Sequence, residues 1–403
     1  LNASTVDIGE TLQAEAAGAI TCGNTNLTVG SLVILGTMTL PSASGSCTVD
    51  SEGTGSHGTN GFAIDINGTV THNSGTVTIT TPASTFLDIV PSSGTGLNSL
   101  LINHASCVAK WTGNSTLTGN LTINQGTAEA DDGDETLTVT GNVIVGDGSG
   151  SANTAVLGHA DDTAAMTFGS LKIASDGKYI ATSGTTTVSK EADTGGTDFM
   201  FHNDGTFTHN DGKFVFDDAG LSSSSNVRNS SSFYDVELTM GSFNLTSHHN
   251  MNVARDFTVT TGLYSDGSNG FTITRDTIVE NGATLNLSNS STQTKTLGGL
   301  HLKSGSSFRA CRGTTVISNR INGQSHLWKN DGGTFNHNNG TVKFNDNDHS
   351  AVKENTFYNV EVESNLGDYA VSFEAQGGGG NPFTILNNLT ITRGDFELVN
   401  AND

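Results

Sequence analysis

Large apolar side chains are scarce in this chain of 403 residues: the AVILMFWYC set makes up 34%, aromatics 6% and charged residues 14%, beside 50 glycines and only 4 prolines. A compact globule of that length has a wide interior to fill, whereas a long stack of strands needs only a few aliphatic side chains per layer. Elongated β-structure with a thin aliphatic core is therefore expected, and a mean hydropathy of -0.23 does not by itself imply disorder. Basic residues are also few, 17 against 40 acids, for a formal net charge of -23. Such a surface repels a phosphate backbone instead of releasing its counterions, so no nucleic acid is expected as a partner. Adsorption to anionic membranes is disfavoured for the same reason unless divalent cations bridge, and the acidity suits a fibre kept soluble in salty medium. Long hydrophobic runs are missing: the longest lies near Leu32 to Leu35, and no basic-then-apolar leader precedes it, so membrane insertion is not expected. The first residue is Leu1, not methionine, which points to a processed product or an excerpt.

Cysteine is limited to Cys22, Cys47, Cys107 and Cys311, with no C-x-x-C pair and no histidine at zinc-ligand spacing, which argues against a structural metal knot. Cys22 and Cys47 stand 25 residues apart, about one layer of a stack, and are the candidate disulfide in an oxidising compartment. Cys107 and Cys311 are too distant to meet and read as buried thiols or as contacts with a neighbouring chain. No stretch of 11 or more residues carries a convincing helical period, and neither a G-x-S-x-G elbow nor a P-loop is present.

What the sequence does contain is self-similarity. Gly68-Thr69-Val70-Thr71-His72-Asn73-Ser74-Gly75 recurs 137 residues on as Gly205-Thr206-Phe207-Thr208-His209-Asn210-Asp211-Gly212, and 128 further as Gly333-Thr334-Phe335-Asn336-His337-Asn338-Asn339-Gly340. Ser232-Phe233-Tyr234-Asp235-Val236-Glu237-Leu238 returns as Thr356-Phe357-Tyr358-Asn359-Val360-Glu361-Val362. Asn120-Leu121-Thr122-Ile123 matches Asp256-Phe257-Thr258-Val259 and Asn388-Leu389-Thr390-Ile391. Val29-Gly30-Ser31-Leu32-Val33-Ile34 matches Phe168-Gly169-Ser170-Leu171-Lys172-Ile173 and, more weakly, Gly298-Gly299-Leu300-His301-Leu302. At the N-terminus, Val6-Asp7-Ile8-Gly9 aligns with Val143-Ile144-Val145-Gly146.

These blocks divide the chain into residues 1–59, the later half of a unit; 60–197 and 198–325, two full units; and 326–403, the earlier half of a unit. Inside each unit, period-2 alternation as in Leu137-Thr138-Val139-Thr140 marks strands, and pairs such as Asp147-Gly148 and Asn281-Gly282 mark corners. The expected fold is all-β: one continuous right-handed parallel β-helix, or β-solenoid, of about three tandem ~134-residue units, with coils of roughly 20 to 25 residues. Its ends are edge strands with no visible polar cap, which invites pairing with another copy.

The pattern G-T-F-x-H-N-x-G-x-x-x-F, then T-F-Y-N-V-x-V, then N-L-T-I-x-x-G, carried by Gly333 to Phe344, Thr356 to Val362 and Asn388 to Gly394, resembles the repeats of large secreted or surface β-helix proteins. It is similar to adhesin-like proteins and to the fibre-like virion proteins of phages. The resemblance spans nearly the whole chain and implies a right-handed parallel β-helix in an extracellular appendage, adhesin or phage fibre. It transfers no catalytic residue.

Candidate chemistry is sparse. His72, His209 and His337 hold one repeat position a whole unit apart, too far to share an ion, and with Asn73, Gly75, Asn210, Gly212, Asn338 and Gly340 read as a repeated structural turn. His248-His249 reads as a solvated loop pair. The cluster Asp131, Asp132, Asp134 and Glu135 is a weak calcium candidate lacking EF-hand spacing, and reads first as an acidic surface turn; Asp161-Asp162, Asp217-Asp218 and Asp346-Asn347-Asp348 are weaker still. No other cofactor is expected. For a polysaccharide-cleaving β-helix, Arg309 and Arg312 with Asp256 and Asp276 are available, but nothing in the sequence places them on one groove. Trp111, Trp328, Tyr179, Tyr264 and Tyr369 could stack on sugars, though most read as core. Asn26, Asn67, Asn114, Asn120, Asn244, Asn286 and Asn388 head N-x-S/T sequons, of the kind composition alone produces in such a chain.

The expectation is a non-enzymatic structural fibre subunit, extracellular, on a cell surface or on a virion, whose partner is itself head to tail or the adjoining repeats of a longer chain. The alternative is a glycan-binding or polysaccharide-degrading β-helix of tail-spike type, with a cell-surface glycan as partner.

Overall fold

A computed structural model describes residues 3–54, 60–192, 198–287, 293–345, 350–354, 356–364, 370–374 and 383–399. Among these the chain is all-β, without a helix, and its strands pair almost entirely in parallel. By contacts it divides into two compact units, Leu1–Thr194 with Met200–Gly212, and Gly195–Phe199 with Lys213–Asp403.

In the first unit, each strand lies beside the one that follows it by about 20 to 30 residues. Inward-facing side chains therefore stack in register. Val6, Leu27, Cys47, Val77, Leu100, Leu121, Val143, Leu171 and Phe201 are successive Cα partners in one column. From Leu27 onward every member is buried, while Val6, in the first layer, is half-exposed. Outward positions between them carry the residues that suit a pleated, half-solvated surface, such as the row Thr28, Thr48 and Thr78. A four-stranded parallel sheet, Ala19–Thr21, Thr37–Thr39, Thr69–Thr71 and Ser93–Gly94, supplies another face. The exception to parallel pairing is the short antiparallel contact of Gly53–Thr54 with Asn60–Ile66, beside a single antiparallel bridge from Ser42 to Ser74.

The second unit contains an eight-stranded parallel sheet in sequence order: Ser232–Phe233, Met251–Val253, Phe271–Ile273, Lys295–Leu297, Thr314–Ile317, Thr341–Phe344, Thr356–Glu363 and Thr384–Arg393. Its interior holds the expected aliphatic side chains, such as Leu238, Val259, Leu297 and Val360, and in addition a run of touching rings. Trp328 packs edge-on against Phe335 and Phe357, and the contacts continue through Phe344 and Phe373 to Phe383 and Phe396. A chain-wide aromatic share of 6% concealed this because the rings are concentrated in successive layers and touch one another.

The structure also corrects the alignment of the N-terminal segment. Phe168 lies opposite Val139, and Leu171 opposite Val143. In the matching block, Val29 lies opposite Ile8 and Leu32 opposite Leu12, with a register break between Ile8 and Thr11 like the one between Val139 and Asn142. Val6-Asp7-Ile8 thus takes the repeat position of Leu137-Thr138-Val139, and Leu12-Gln13-Ala14 that of Val143-Ile144-Val145. Gly30 and Gly169 pin this register. A Cβ on Gly30 would lie 3.1 Å from the carbonyl oxygens of Gly9 and Glu10, and one on Gly169 would lie 2.4 Å from that of Gly141 and 2.7 Å from that of Thr140.

Candidate functional site

The repeated turn is built the same way three times. Asn73 and Ser74, Asn210 and Asp211, and Asn338 and Asn339 all adopt left-handed conformations, with φ from 46° to 61°. The following glycine N–H closes the turn on the histidine carbonyl, at 3.1 Å for Gly75, 2.9 Å for Gly212 and 2.9 Å for Gly340. Two positive φ values with that closure make a type I′ turn, in which asparagine is among the few residues that fit cheaply. The histidine ring finishes it: Nδ1 accepts the N–H of Ser74 at 2.8 Å, of Asp211 at 3.0 Å and of Asn339 at 3.0 Å. The ring proton is then assigned to Nε2. Glycine is required because the next layer is close: a Cβ there would lie 2.0 to 2.2 Å from the carbonyl oxygens of Pro41, Thr182 and Cys311.

The acidic turn lies in a cleft of about 220 Å³ lined by Lys110, Glu129, Asp131, Asp132, His159, Asp161 and Asp162. Lys110 stands 3.7 Å from both Glu129 and Asp131. Asp132 donates its N–H to Glu135 at 3.2 Å, and Asp134 is exposed. Asp162 is buried and accepts the His159 N–H at 3.1 Å; burial pushes its carboxyl above the usual range. Among the described residues no group of three or more His, Cys, Asp or Glu side chains is arranged to hold a metal ion. Asp346-Asn347-Asp348 lies outside the described residues.

Cys22 and Cys47 are free, buried thiols, which corrects the expected cross-link between coils. Their separation matches one layer, but they belong to different faces. Cys47 sits in the column between Leu27 and Val77, whereas Cys22 directly follows Ala19–Thr21 and donates its N–H to Thr39 at 2.9 Å. Burial pushes the Cys47 thiol up to about 12, helped by neighbouring Cys22, and the Cys107 thiol up to about 11. All four cysteines are buried, so Ellman's reagent is expected to find no reactive thiol in the native protein and four after denaturation.

The aromatic residues considered for sugar stacking are core residues: Trp111, Trp328, Tyr179 and Tyr264 are all buried, and Tyr369 lies outside the described residues. Arg309 and Asp256 are engaged elsewhere. Arg309 reaches Asn338 of the repeated turn at 3.4 Å, while Arg275 holds Asp256 through Nε at 2.7 Å. Asp276 accepts the N–H of Asn322 at 3.0 Å. Of the sequon asparagines, Asn286 is half-buried and the other six are exposed.

No family model matches the chain, and no curated protein or solved structure matches it either.

Three polar features escaped the reading of the sequence. Arg255 grips Asp235 with two hydrogen bonds and lies over the Tyr234 ring at 4.6 Å; Arg275 grips Asp256 in the same way one layer on. The signal was present as Asp and Arg recurring about 20 residues apart at 235, 255–256 and 275–276. Lys295 and Asp266 form an ion pair at 2.7 Å with both side chains fully buried. Asp331 gathers His301 Nε2 at 2.8 Å and the ammonium groups of Lys329 and Lys353, each at 3.2 Å.

Burial works to raise the Asp331 carboxyl, but the hydrogen bonds from His301, Lys329 and Lys353 outweigh it and hold it well below the usual range. Burial holds His301 below its ordinary value despite its hydrogen bond to Asp331. A depressed carboxylate stabilises fully above its unfolded value and loses that stabilisation as pH falls. A depressed histidine acts in the same direction, because the unfolded state takes up the proton first. Thermal unfolding followed from pH 7 to pH 3 is expected to show a falling Tm, and Asp331→Asn is expected to lower Tm at pH 7 while flattening that slope.

Proposed function

We propose that this chain is a non-enzymatic structural β-solenoid, a right-handed parallel β-helix of about three repeat units that stacks end to end in an extracellular, cell-surface or virion fibre. The observation that carries the reading is the exposure of core positions in the last layer. Leu297, Ile317, Phe344, Val362 and Ile391 form one column of Cα partners; the first four are 0% exposed and Ile391 is 49% exposed. Beside it, Val342, Val360 and Leu389 run 2%, 1% and 42%. Among the described residues the strand Thr384–Arg393 has a neighbour on one side only, and apolar side chains on such an edge are a template for another strand. The acidic surface and the repeated turns suit a structural repeat protein that provides reach and attachment.

Electron microscopy across a concentration series is the test. Particles whose length grows with concentration support a fibre subunit, and particles of constant length contradict it. The cleft around Asp131 and Asp162 favours a second reading, a polysaccharide-degrading or glycan-binding β-helix, because a buried carboxyl with raised pKa is suited to general-acid chemistry. Release of reducing ends from an acidic glycan, abolished by Asp162→Asn, would favour that alternative.

A further inference from the structure

One repeated strand pair occurs twice complete, and its two halves occur once more apart, at residues 6–14 and 383–391. In the first unit, Ser115-Thr116-Leu117 lies beside Leu137-Thr138-Val139, and six residues on Leu121-Thr122-Ile123 lies beside Val143-Ile144-Val145. In the second unit, Met251-Asn252-Val253 lies beside Phe271-Thr272-Ile273, and again six residues on Phe257-Thr258-Val259 lies beside Thr277-Ile278-Val279. The lower half occurs a third time as Phe383-Thr384-Ile385 and Leu389-Thr390-Ile391, also six apart. Gly126, Gly262 and Gly394, each five residues after the second strand begins, are all left-handed, with φ of 95°, 77° and 86°, so the three lower halves are locally equivalent. Nothing among the described residues covers the third: Leu121 and Ile123 are 1% and 0% exposed, but Leu389 and Ile391 are 42% and 49% exposed.

The matching upper half is at the N-terminus. By the register of the Gly30 and Gly169 blocks, Val6-Asp7-Ile8 is the equivalent of Leu137-Thr138-Val139, and Leu12-Gln13-Ala14 that of Val143-Ile144-Val145. The interval is again six residues. These strands pair on one side with Asn26–Ile34, and Val6, Ile8 and Leu12 remain half-exposed, whereas their equivalents Leu137, Val139 and Val143 are buried; Ala14, like its equivalent Val145, is already buried.

Resting on the end-to-end reading above, we infer that the partner of the strand Thr384–Arg393 is the strand Thr5–Ala14 of a second copy. In that joint Phe383-Thr384-Ile385 pairs with Val6-Asp7-Ile8, and Leu389-Thr390-Ile391 pairs with Leu12-Gln13-Ala14. Both internal examples of the pair are parallel and apolar at the inward positions apart from Ser115 and Thr277, and the joint is apolar at all of them. Its outward positions set Thr384 against Asp7 and Thr390 against Gln13, with no like charges opposed. The joint is heterologous, each copy offering a different surface to the next, so it propagates as an open filament.

Cysteine cross-linking between two separately purified, singly substituted chains tests the register. Parallel neighbours stand about 4.8 Å apart, within the span a disulfide bridges. Mixed Gln13→Cys and Thr390→Cys chains are expected to form a covalent dimer under mild oxidant, as are Asp7→Cys and Thr384→Cys chains. Asp7→Cys mixed with Thr390→Cys, six residues out of register and about 20 Å apart, is expected to form none. Assembly by light scattering with cross-linking only in that last mixture, or in none, overturns the register while leaving end-to-end stacking in place. No assembly and no cross-link at any concentration removes the underlying reading together with the joint. Leu389→Lys supplies the independent check: it is expected to abolish assembly and leave the Tm of the dilute monomer unchanged. A lower Tm for that dilute monomer would mean that the chain's own residues cover this face, and would overturn the joint.

Discussion

Lys295→Ala is expected to destabilise the second unit by about 3–5 kcal/mol, the cost of leaving a buried charge without its partner. The Lys295 ammonium lies 2.7 Å from Asp266, neither side chain is reached by solvent, and the same ammonium donates to the Asn269 carbonyl. Removing it leaves the Asp266 carboxylate in the core without its counter-charge, still accepting the Ser268 N–H at 3.4 Å. The strand that carries Lys295 is one layer of the eight-stranded sheet, so the loss falls on a shared hydrogen-bonded ladder and not on a loop. Replacing the pair together, Lys295→Met with Asp266→Leu, removes both charges and is expected to cost far less than the single change. Urea unfolding followed by tryptophan fluorescence in a Trp111→Phe background, where Trp328 is the remaining tryptophan, measures both. Equal losses in the single and double variants would show that the pair is not what the site depends on.

Phe357→Ala is expected to cost about 3–5 kcal/mol, the range for deleting a fully buried ring. Phe357 is 0% exposed and touches Trp328, Phe335, Phe344, Phe373 and Phe383, with centroid separations of 5.4 to 6.4 Å. It therefore joins at least three successive layers, and a cavity there cannot close by the shift of one neighbour. Phe357→Leu fills most of that volume and is expected to lose less than about 1.5 kcal/mol. Chemical denaturation reports the stability, and in the same Trp111→Phe background a red shift of Trp328 emission reports water entering the cavity. Because Phe383 belongs to the exposed last layer, Phe357→Ala is also expected to weaken assembly; retention of full assembly alongside the stability loss would show that the end layer is ordered independently of this core.

Much of the local structure could be read in advance because turn chemistry is written in residue type. The H-N-x-G element marks a reversal, and the asparagine and its successor occupy the left-handed positions that such a reversal demands. Alternation in Leu137-Thr138-Val139 likewise announces a strand with one buried face. What failed was register over distance. Val6-Asp7-Ile8 matches both Leu137-Thr138-Val139 and Val143-Ile144-Val145, since alternation looks the same in each, and only the layer beneath Gly30 chooses between them. Cys22 and Cys47 illustrate the same weakness: their spacing fits one layer, but spacing does not say which face each strand joins. In the acidic cleft, Asp131 and Asp132 were evident as neighbours in sequence, whereas Lys110 and His159 arrive from adjacent layers. The buried Lys295–Asp266 pair had no local signal, because a charge becomes a core feature only through what packs over it.

A cryo-electron microscopy reconstruction of the assembled protein at a resolution that separates strands is the most direct measurement. A strand spacing of about 4.8 Å that runs uninterrupted from one copy into the next, with Leu389 and Ile391 buried against Leu12 and Ala14, is the expected result. Copies that meet side by side, or that meet with their strands crossed while Leu389 and Ile391 remain open to solvent, would contradict it.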